Sequence, residues 1–211
     1  MEYRKYPRTL HHPLSECVNN NDKVISWEAL RSLMGTEVVI TEKMDGENTT
    51  IYPNGYTHAR SIDSKYHESR TWVKSLASTI AYNIPEGHRL CGENMYAEHS
   101  IHYDDLLSYF LLFSVWDDEG ALSWSDTESL AADLGLQTVT VLFQGVLTEE
   151  KLKLIWDSID KESVEGIVVR DVKAIPYDQF ENKVFKLVRP NHVQTDEHWM
   201  KKEVVKNDLR K

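Results

Sequence analysis

The stretch Thr41-Glu42-Lys43-Met44-Asp45-Gly46-Glu47-Asn48 places a single lysine at the end of a β-branched run, just before an Asp-Gly turn. Lysine attacks an electrophile only as the free amine. A catalytic lysine therefore needs a place where its ammonium is disfavoured, such as a cleft near a bound cation and other positive side chains. The plain alternative is an ordinary hairpin turn with an exposed lysine, and a Lys-x-Asp-Gly match arises by chance in roughly a few per cent of chains this long. What strengthens the motif is the ordered series behind it. Arg60 lies in His-Ala-Arg-Ser and Glu93 in Cys-Gly-Glu-Asn-Met-Tyr. An aromatic run from Tyr109 contains Phe113 and ends at Trp116-Asp117, Glu165 heads Glu-Gly-Ile-Val-Val-Arg, and Lys186 sits in Val-Phe-Lys-Leu-Val-Arg. Each of these polar residues stands in or at the end of an apolar strand, where a lone charge is costly. Any one of them could be a structural ion pair, but charged strand-end residues of both signs in such number imply convergence on one site.

In this order, Lys-x-Asp-Gly, Arg-Ser, Gly-Glu, aromatic-Asp, Glu-Gly and Lys resemble the motifs of the covalent nucleotidyltransferases, which include DNA ligases, RNA ligases and messenger-RNA capping enzymes. The flanks Glu-Lys-Met-Asp-Gly-Glu-Asn-Thr-Thr, His-Ala-Arg-Ser-Ile-Asp-Ser, Phe-Ser-Val-Trp-Asp and Arg-Pro-Asn-His-Val-Gln-Thr-Asp-x-His-Trp are most similar to the ATP-dependent RNA ligase branch, over about residues 36 to 200. The resemblance implies that Lys43 attacks the α-phosphate of ATP, giving lysyl-AMP and pyrophosphate. AMP then passes to a 5′-phosphate RNA end, and a 3′-OH attacks with loss of AMP. It implies that Glu42 and Asn48 border the nucleotide, Glu42 through its backbone, that Arg60 contacts ribose or phosphate, and that Glu93 binds the ribose. Trp116, beside Asp117, takes the adenine-stacking place; Phe113 would point to the other sheet face in a regular strand. Lys186 grips the α-phosphate. Glu165 places a Mg²⁺ or Mn²⁺ ion through its waters, and Glu93 and Asp45 are the further carboxylates offered to the metal.

One position departs from the family pattern. The last motif usually reads Lys-x-Lys, and here its second position is Val188; Arg189 is adjacent but faces the other way in a regular strand. The chemistry needs positioning and charge neutralisation more than acid–base groups, which suits lysines and an arginine around a triphosphate with carboxylates for the metal. Two other enzymatic outcomes fit the same motifs, DNA nick sealing and a capping-type transfer. A nucleotide-binding subunit with reduced turnover fits the missing lysine. His99-x-x-His102 has metal-ligand spacing but no third and fourth ligand nearby. Trp27, Trp72, Trp124 and Trp156 read as core or interface residues, whereas Trp199, among the lysines of the tail, could meet a nucleobase.

The elements that must position these residues read as short strands in hairpins with helices interspersed irregularly. Strands are expected at Glu37–Glu42, Thr49–Tyr52, Tyr56–Arg60, Arg89–Asn94, Tyr109–Trp116, Thr138–Phe143, Gly166–Val169 and Lys183–Val188, with Asn54-Gly55 as a hairpin turn. Helices are expected at Ser69–Tyr82, from a cap at Asp126 to Leu134, and from a cap at Thr148 to Ile159. That order disfavours a doubly wound parallel sheet and predicts an α+β fold, antiparallel β-sheets with flanking helices, of the nucleotidyltransferase kind. The expected organisation is one adenylyltransferase domain over 1–211, with an N-terminal arm at 1–25 and a basic tail at 190–211 ending in a short amphipathic helix. Only 22 residues follow Arg189, too few for an OB domain. RNA capture would then fall to the domain's own surface, the tail, a repair partner protein or a preformed end-to-end geometry.

The chain carries 34 acidic and 24 basic side chains, a net charge of −10, which argues against a general nucleic-acid coat. The charge is uneven. Residues 93–165 hold sixteen acidic and three basic side chains, leaving 18 against 21 elsewhere, and 183–211 hold eight basic against four acidic. The uneven charge admits solvated faces of opposite sign, or a polar molecule with one surface suited to phosphates. Two cysteines form neither a disulfide framework nor a zinc cluster. No membrane-length apolar run or secretory leader is evident, so a reducing, cytoplasmic setting is expected.

Overall fold

The computed structural model describes residues 2–15, 22–190 and 203–211. In chain order the chain forms β1 (Leu10–His11), α1 (Trp27–Leu33), β2 (Glu37–Lys43), β3 (Glu47–Ile51), β4 (Thr57–Ala59), α2 (Thr71–Ile80), β5 (Arg89–Asn94) and β6 (Phe110–Trp116). It continues with β7 (Gly120–Ala121), α3 (Trp124–Asp133), β8 (Gln137–Thr138), β9 (Val141–Val146), α4 (Glu149–Ser158), β10 (Gly166–Asp171), β11 (Ile175–Pro176), α5 (Phe180–Lys183) and β12 (Val184–Val188). This is the expected α+β fold with antiparallel sheets; β1–β12 and β6–β8 are parallel exceptions.

The chain divides into two compact units, and the boundary falls between Met44 and Asp45, inside Lys-x-Asp-Gly. The first unit comprises Met1–Tyr6, Asp45–Thr138 and Thr195–Lys211. Its sheet runs β7-β6-β5-β3-β4, with β8 beside β6. One face packs Ile51, Leu90, Phe110, Leu112 and Val115 against Val73, Ala77 and Ile80 of α2 and Ala131 of α3. The β3–β4 hairpin turns at Asn54-Gly55, where Gly55 has φ +78°, a conformation that glycine adopts without a Cβ penalty. Helix α3 is capped by Ser123, not by Asp126. Ser123 Oγ accepts from the Asp126 N–H at 3.1 Å, the N-cap bond, and donates to the Asp126 carboxylate at 2.5 Å.

The second unit, Pro7–Met44 and Val139–Gln194, has a sheet in the order β1-β12-β10-β2-β9. Leu10, Val38, Ile40, Ile167, Val169, Phe185 and Leu187 bury one of its faces against Ala29, Leu30 and Leu33 of α1 and Leu152 and Ile155 of α4. Thr148 caps α4 as expected, accepting from the Lys151 N–H at 3.1 Å. β9 begins three residues later than expected and carries an irregularity opposite Ile40/Thr41.

Part of the N-terminal arm is built into this sheet, because β1 pairs with β12. Residues 203–211 are extended rather than helical, with bridges Ala97↔Lys206 and Leu106↔Leu209; residues 191–202, which include Trp199, lie outside the described residues, as does Cys17. Trp124 is fully buried, Trp72 and Trp156 pack on the two cores, and Trp27 is exposed in the first turn of α1. No helix among the described residues is long and apolar enough to cross a membrane.

Candidate active site

In the second unit, strand alternation sets the site face. Val38 and Ile40 point into the core, so Val39, Thr41 and Lys43 occupy the opposite face of β2. The β10 partners Gly166 and Val168 stand opposite Lys43 and Thr41, and Val168 is in turn opposite Lys186 on β12. Lys43 and Lys186 therefore share one face with β10 between them. Lys43 Nζ lies 2.5 Å from Glu165 Oε2, and Glu165 is only 5% exposed. Gly166, which follows this carboxylate, is required by close approach: a Cβ there would run into the Leu187 carbonyl oxygen and lie 3.0 Å from Val188 Cα.

Val188 sits opposite Gly166 and is buried, so the second position of the last motif is an apolar contact on this face. Arg189 turns away, as alternation requires, and does not replace the lysine. Its guanidinium donates to the carbonyls of Lys161 at 2.7 Å and Glu162 at 3.2 Å, while its N–H donates to the Glu165 carbonyl at 3.0 Å. Arg189 thus braces the loop that presents Glu165, a role not apparent from its place beside a motif.

Glu42 shares the core-side parity of Val38 and Ile40, and its backbone N–H donates to the Thr140 carbonyl at 2.9 Å. Burial pushes its carboxyl above the ordinary value of 4.5, against a smaller opposing hydrogen bond from Thr140. A carboxyl raised on folding favours the native state below 4.5, where it is protonated, and loses that contribution as pH rises through the raised value. Glu42→Gln should therefore match the parent in thermal midpoint near pH 4 and exceed it at pH 8. One kcal/mol is worth roughly 2–4 °C in a chain of this size. Equal midpoints at pH 8 would show that ionised Glu42 is not strained.

In the first unit, Asn48 and Glu93 are direct cross-strand partners on β3 and β5. They lie on the sheet face opposite the core, as do Cys91 and Arg89 by alternation. Asn48 Oδ1 is buried and makes no hydrogen bond. Arg60 follows the end of β4 and is exposed.

The expectation that Phe113 and Trp116 lie on opposite faces is overturned. Cys91 pairs with Ser114 and Gly92 with Leu112, so Phe113 is an extra residue in β6, a bulge that resets the alternation. Both rings reach Tyr6, with centroids at 5.1 Å and 5.7 Å. Trp116 is 0% exposed, with the Arg89 guanidinium 5.0 Å over its ring, while Phe113 is 9% exposed. Neither therefore presents an open stacking face.

Two acids assigned from the resemblance have structural employment. Asp117 Oδ1 accepts from the N–H groups of Glu119 at 2.8 Å and Gly120 at 2.9 Å, closing the β6–β7 turn. Asp45 Oδ2 accepts from Ser100 N at 2.8 Å, Ser100 Oγ at 2.6 Å and Ile101 N at 3.1 Å, and the Asp45 N–H donates to the Tyr103 hydroxyl at 3.0 Å. Through this oxygen Asp45 anchors the segment at Ser100 and Ile101. Gly46 is fixed by crowding, since a Cβ would lie 2.7 Å from the Asn94 carbonyl and 2.9 Å from Glu93 Cγ.

Among the described residues no group of three or more His, Cys, Asp or Glu side chains is placed to hold a metal. His102 instead bridges Glu98 at 2.9 Å and Asp208 at 3.3 Å, and Glu98 first, then Asp208, raises its pKa.

A sequence model of the RNA ligase family matches residues 36–188. No curated protein matches the chain in sequence. Among solved structures, an archaeal ATP-dependent RNA ligase aligns with TM-score 0.63 and 16% identity over 89% of this chain and 48% of its own. A Naegleria gruberi RNA ligase with pyrophosphate aligns with TM-score 0.57 and 17% identity over 92% and 63%. A candidate ATP-dependent DNA ligase from Aquifex aeolicus aligns with TM-score 0.59 and 21% identity over 88% and 50%. The chain thus spans less than two thirds of each of these relatives, and at such identities they share its fold.

Proposed function

The chain belongs to the RNA ligase family, and from that premise we propose that it is an ATP-dependent ligase joining 5′-phosphate and 3′-OH ends of RNA. The observation that carries this is the Lys43–Glu165 pair at the junction of β2 and β10, with Lys186 on the same sheet face. Lys43 Nζ loses a proton and forms a bond to the α-phosphorus of ATP as the bond to the pyrophosphate oxygen breaks. An RNA 5′-phosphate oxygen then takes the adenylyl group from the lysine. A 3′-OH finally attacks that 5′-phosphorus and AMP departs.

Lys186 balances charge on the α-phosphate, while Glu93 and Asn48 hold the nucleoside. Arg60, exposed beyond β4, contacts phosphate or ribose in this reading. The matched span, 36–188, draws on both compact units, which supports treating them as one adenylyltransferase domain.

A metal fits the chemistry of the donors. Glu165 is a nearly buried carboxylate beside a cation, a hard oxygen ligand of the kind Mg²⁺ or Mn²⁺ takes while keeping most of its waters. Such an ion, when bound, would neutralise charge on the leaving pyrophosphate. Glu165 would hold such an ion, and its carboxylate would then be shared between the ion and Lys43.

Structures of the Naegleria gruberi ligase with ATP and Mn and with AMP and Mn support this cofactor assignment. The test is sealing of matched nicked duplexes with ATP and Mg²⁺. Nicks with RNA at the 3′-OH side should be joined at least about tenfold faster than all-DNA nicks, a difference of 1.4 kcal/mol or more. Equal joining of both would replace RNA preference with general nick sealing, and labelling by GTP in place of ATP would favour a capping-type transfer. A repair partner protein that delivers the broken ends is part of the proposal.

A further inference from the structure

Residues 205–210 have no helix or sheet of their own, yet they pair with backbone groups at both ends and the middle of the irregular stretch 95–106. Glu98 N–H donates to the Val205 carbonyl at 2.8 Å, Asn207 N–H to the Tyr96 carbonyl at 3.2 Å, and Asp208 N–H to the Tyr103 carbonyl at 2.8 Å. Leu106 N–H donates to the Asp208 carbonyl at 3.0 Å, and Arg210 N–H to the Leu106 carbonyl at 2.8 Å. Arg210 also forks onto Asp105 at 2.9 Å and 2.6 Å.

At the centre is Asn207, 0% exposed. Its amide Nδ2 donates to the Met95 carbonyl at 2.8 Å and the Ala97 carbonyl at 3.4 Å, while Oδ1 accepts from the Tyr103 N–H at 2.9 Å. Its own carbonyl accepts from the Tyr109 hydroxyl at 2.9 Å. A carboxamide offers donors and an acceptor together, so one side chain ties the carbonyls of residues 95 and 97 to the N–H of residue 103.

That loop is the one that grips Asp45, two residues after Lys43: Ser100 and Ile101 hold its carboxylate and Tyr103 its N–H. Asn207 fixes Tyr103 from the backbone side, and Tyr103 fixes Asp45 from the hydroxyl side. It also fixes Met95, whose Sδ lies 2.7 Å from where a Cβ of Gly46 would stand. We propose that Asn207 is a positioning residue for the Lys-x-Asp-Gly corner, acting through Tyr103 and Asp45 so that the C-terminal strap sets where the chain leaves the nucleophile. This rests on the assignment of Lys43 as the nucleophile.

The test uses the full chain as parent, Asn207→Ala and Tyr103→Phe, with two readouts. Backbone amide exchange reports order at Asp45 and in residues 96–103. Single-turnover formation of lysyl-AMP across ATP concentrations separates rate from binding. Asn207→Ala should speed exchange at Tyr103 and Asp45 and lower the saturating rate about tenfold or more, the scale of a misplaced reacting group. The ATP concentration for half-maximal rate should stay within about threefold, because the substitution removes no group assigned to ATP.

Tyr103→Phe deletes one hydroxyl and should speed exchange at Asp45 alone, with a fall of about fivefold, the scale of one hydrogen bond. Wild-type exchange at Asp45 or a wild-type labelling rate in both folded variants would overturn the inference. So would a rise in the half-maximal ATP concentration with no change in saturating rate. If Asn207→Ala does not fold, Tyr103→Phe decides. If the parent takes no label, the ligase assignment fails instead, and exchange at Asp45 still decides whether Asn207 orders that corner.

Discussion

Replacing Lys43 with alanine abolishes covalent transfer of radiolabel from α-labelled ATP to the protein. The expected loss is complete, because the lysyl-AMP bond needs the amine as one of its atoms and no neighbouring group can stand in for it. Lys186 shares the sheet face but projects from β12, separated from β2 by the whole of β10. The same variant should still join RNA already carrying AMP on its 5′-phosphate, since that step breaks a bond between RNA and AMP and does not involve the lysine. Label retained by Lys43→Ala would remove Lys43 as nucleophile. Failure on pre-adenylylated RNA by a protein with an unchanged melting profile would give it a second role. The melting control is needed because the substitution leaves the nearly buried Glu165 without the cation 2.5 Å away, and an uncompensated carboxylate destabilises a fold.

Much of the second unit's site was legible in the sequence because its residues sit on regular strands. Once β2, β10 and β12 are placed antiparallel, alternation alone puts Lys43 and Lys186 on one face and turns Arg189 to the other. The cross-strand pairing of Asn48 with Glu93 depends on strand register, which alternation alone does not supply. The bulge at Phe113 was not legible, because an extra residue in β6 depends on how β5 pairs with it, and a parity argument drawn on one strand assumes there is none.

The anchoring role of Asp45 was not legible for a related reason. It belongs to a catalytic-looking motif, but its partners Ser100, Ile101 and Tyr103 are more than fifty residues away in a segment without periodicity. The tail is expected to end in a short amphipathic helix, yet its final residues form none. They are extended because the partners for their backbone lie in segment 95–109. The charge asymmetry gains a partial explanation there, as Arg210 of the basic tail pairs with Asp105 of the acidic middle segment. The rest of the imbalance remains compatible with an enzyme that engages RNA ends rather than coating a polymer.

Glu165→Gln should lower the plateau rate of lysyl-AMP formation about a hundredfold, and the pH profile of that rate separates two roles for the carboxylate. In the structure it is the counterion of Lys43 at 2.5 Å, a contact that favours the unreactive ammonium. If holding the ammonium were its only role, glutamine would release the amine at lower pH and the plateau would be preserved or raised. If the charge also holds a hydrated metal against the leaving pyrophosphate, glutamine removes that attraction and the plateau falls at every pH. Losses of 10² to 10³ are about what deleting one preorganised electrostatic contact costs. We expect both effects in one profile, an acid limb displaced to lower pH and a depressed plateau, with a higher Mg²⁺ concentration needed to reach it. Gly166 and Arg189 make the comparison clean. The first holds β10 against β12 by close approach and the second clasps the 161–165 loop through backbone carbonyls, so glutamine should be presented where glutamate was. A plateau within about threefold of the parent would confine Glu165 to clamping the lysine, and the charge that neutralises pyrophosphate would then have to come from elsewhere.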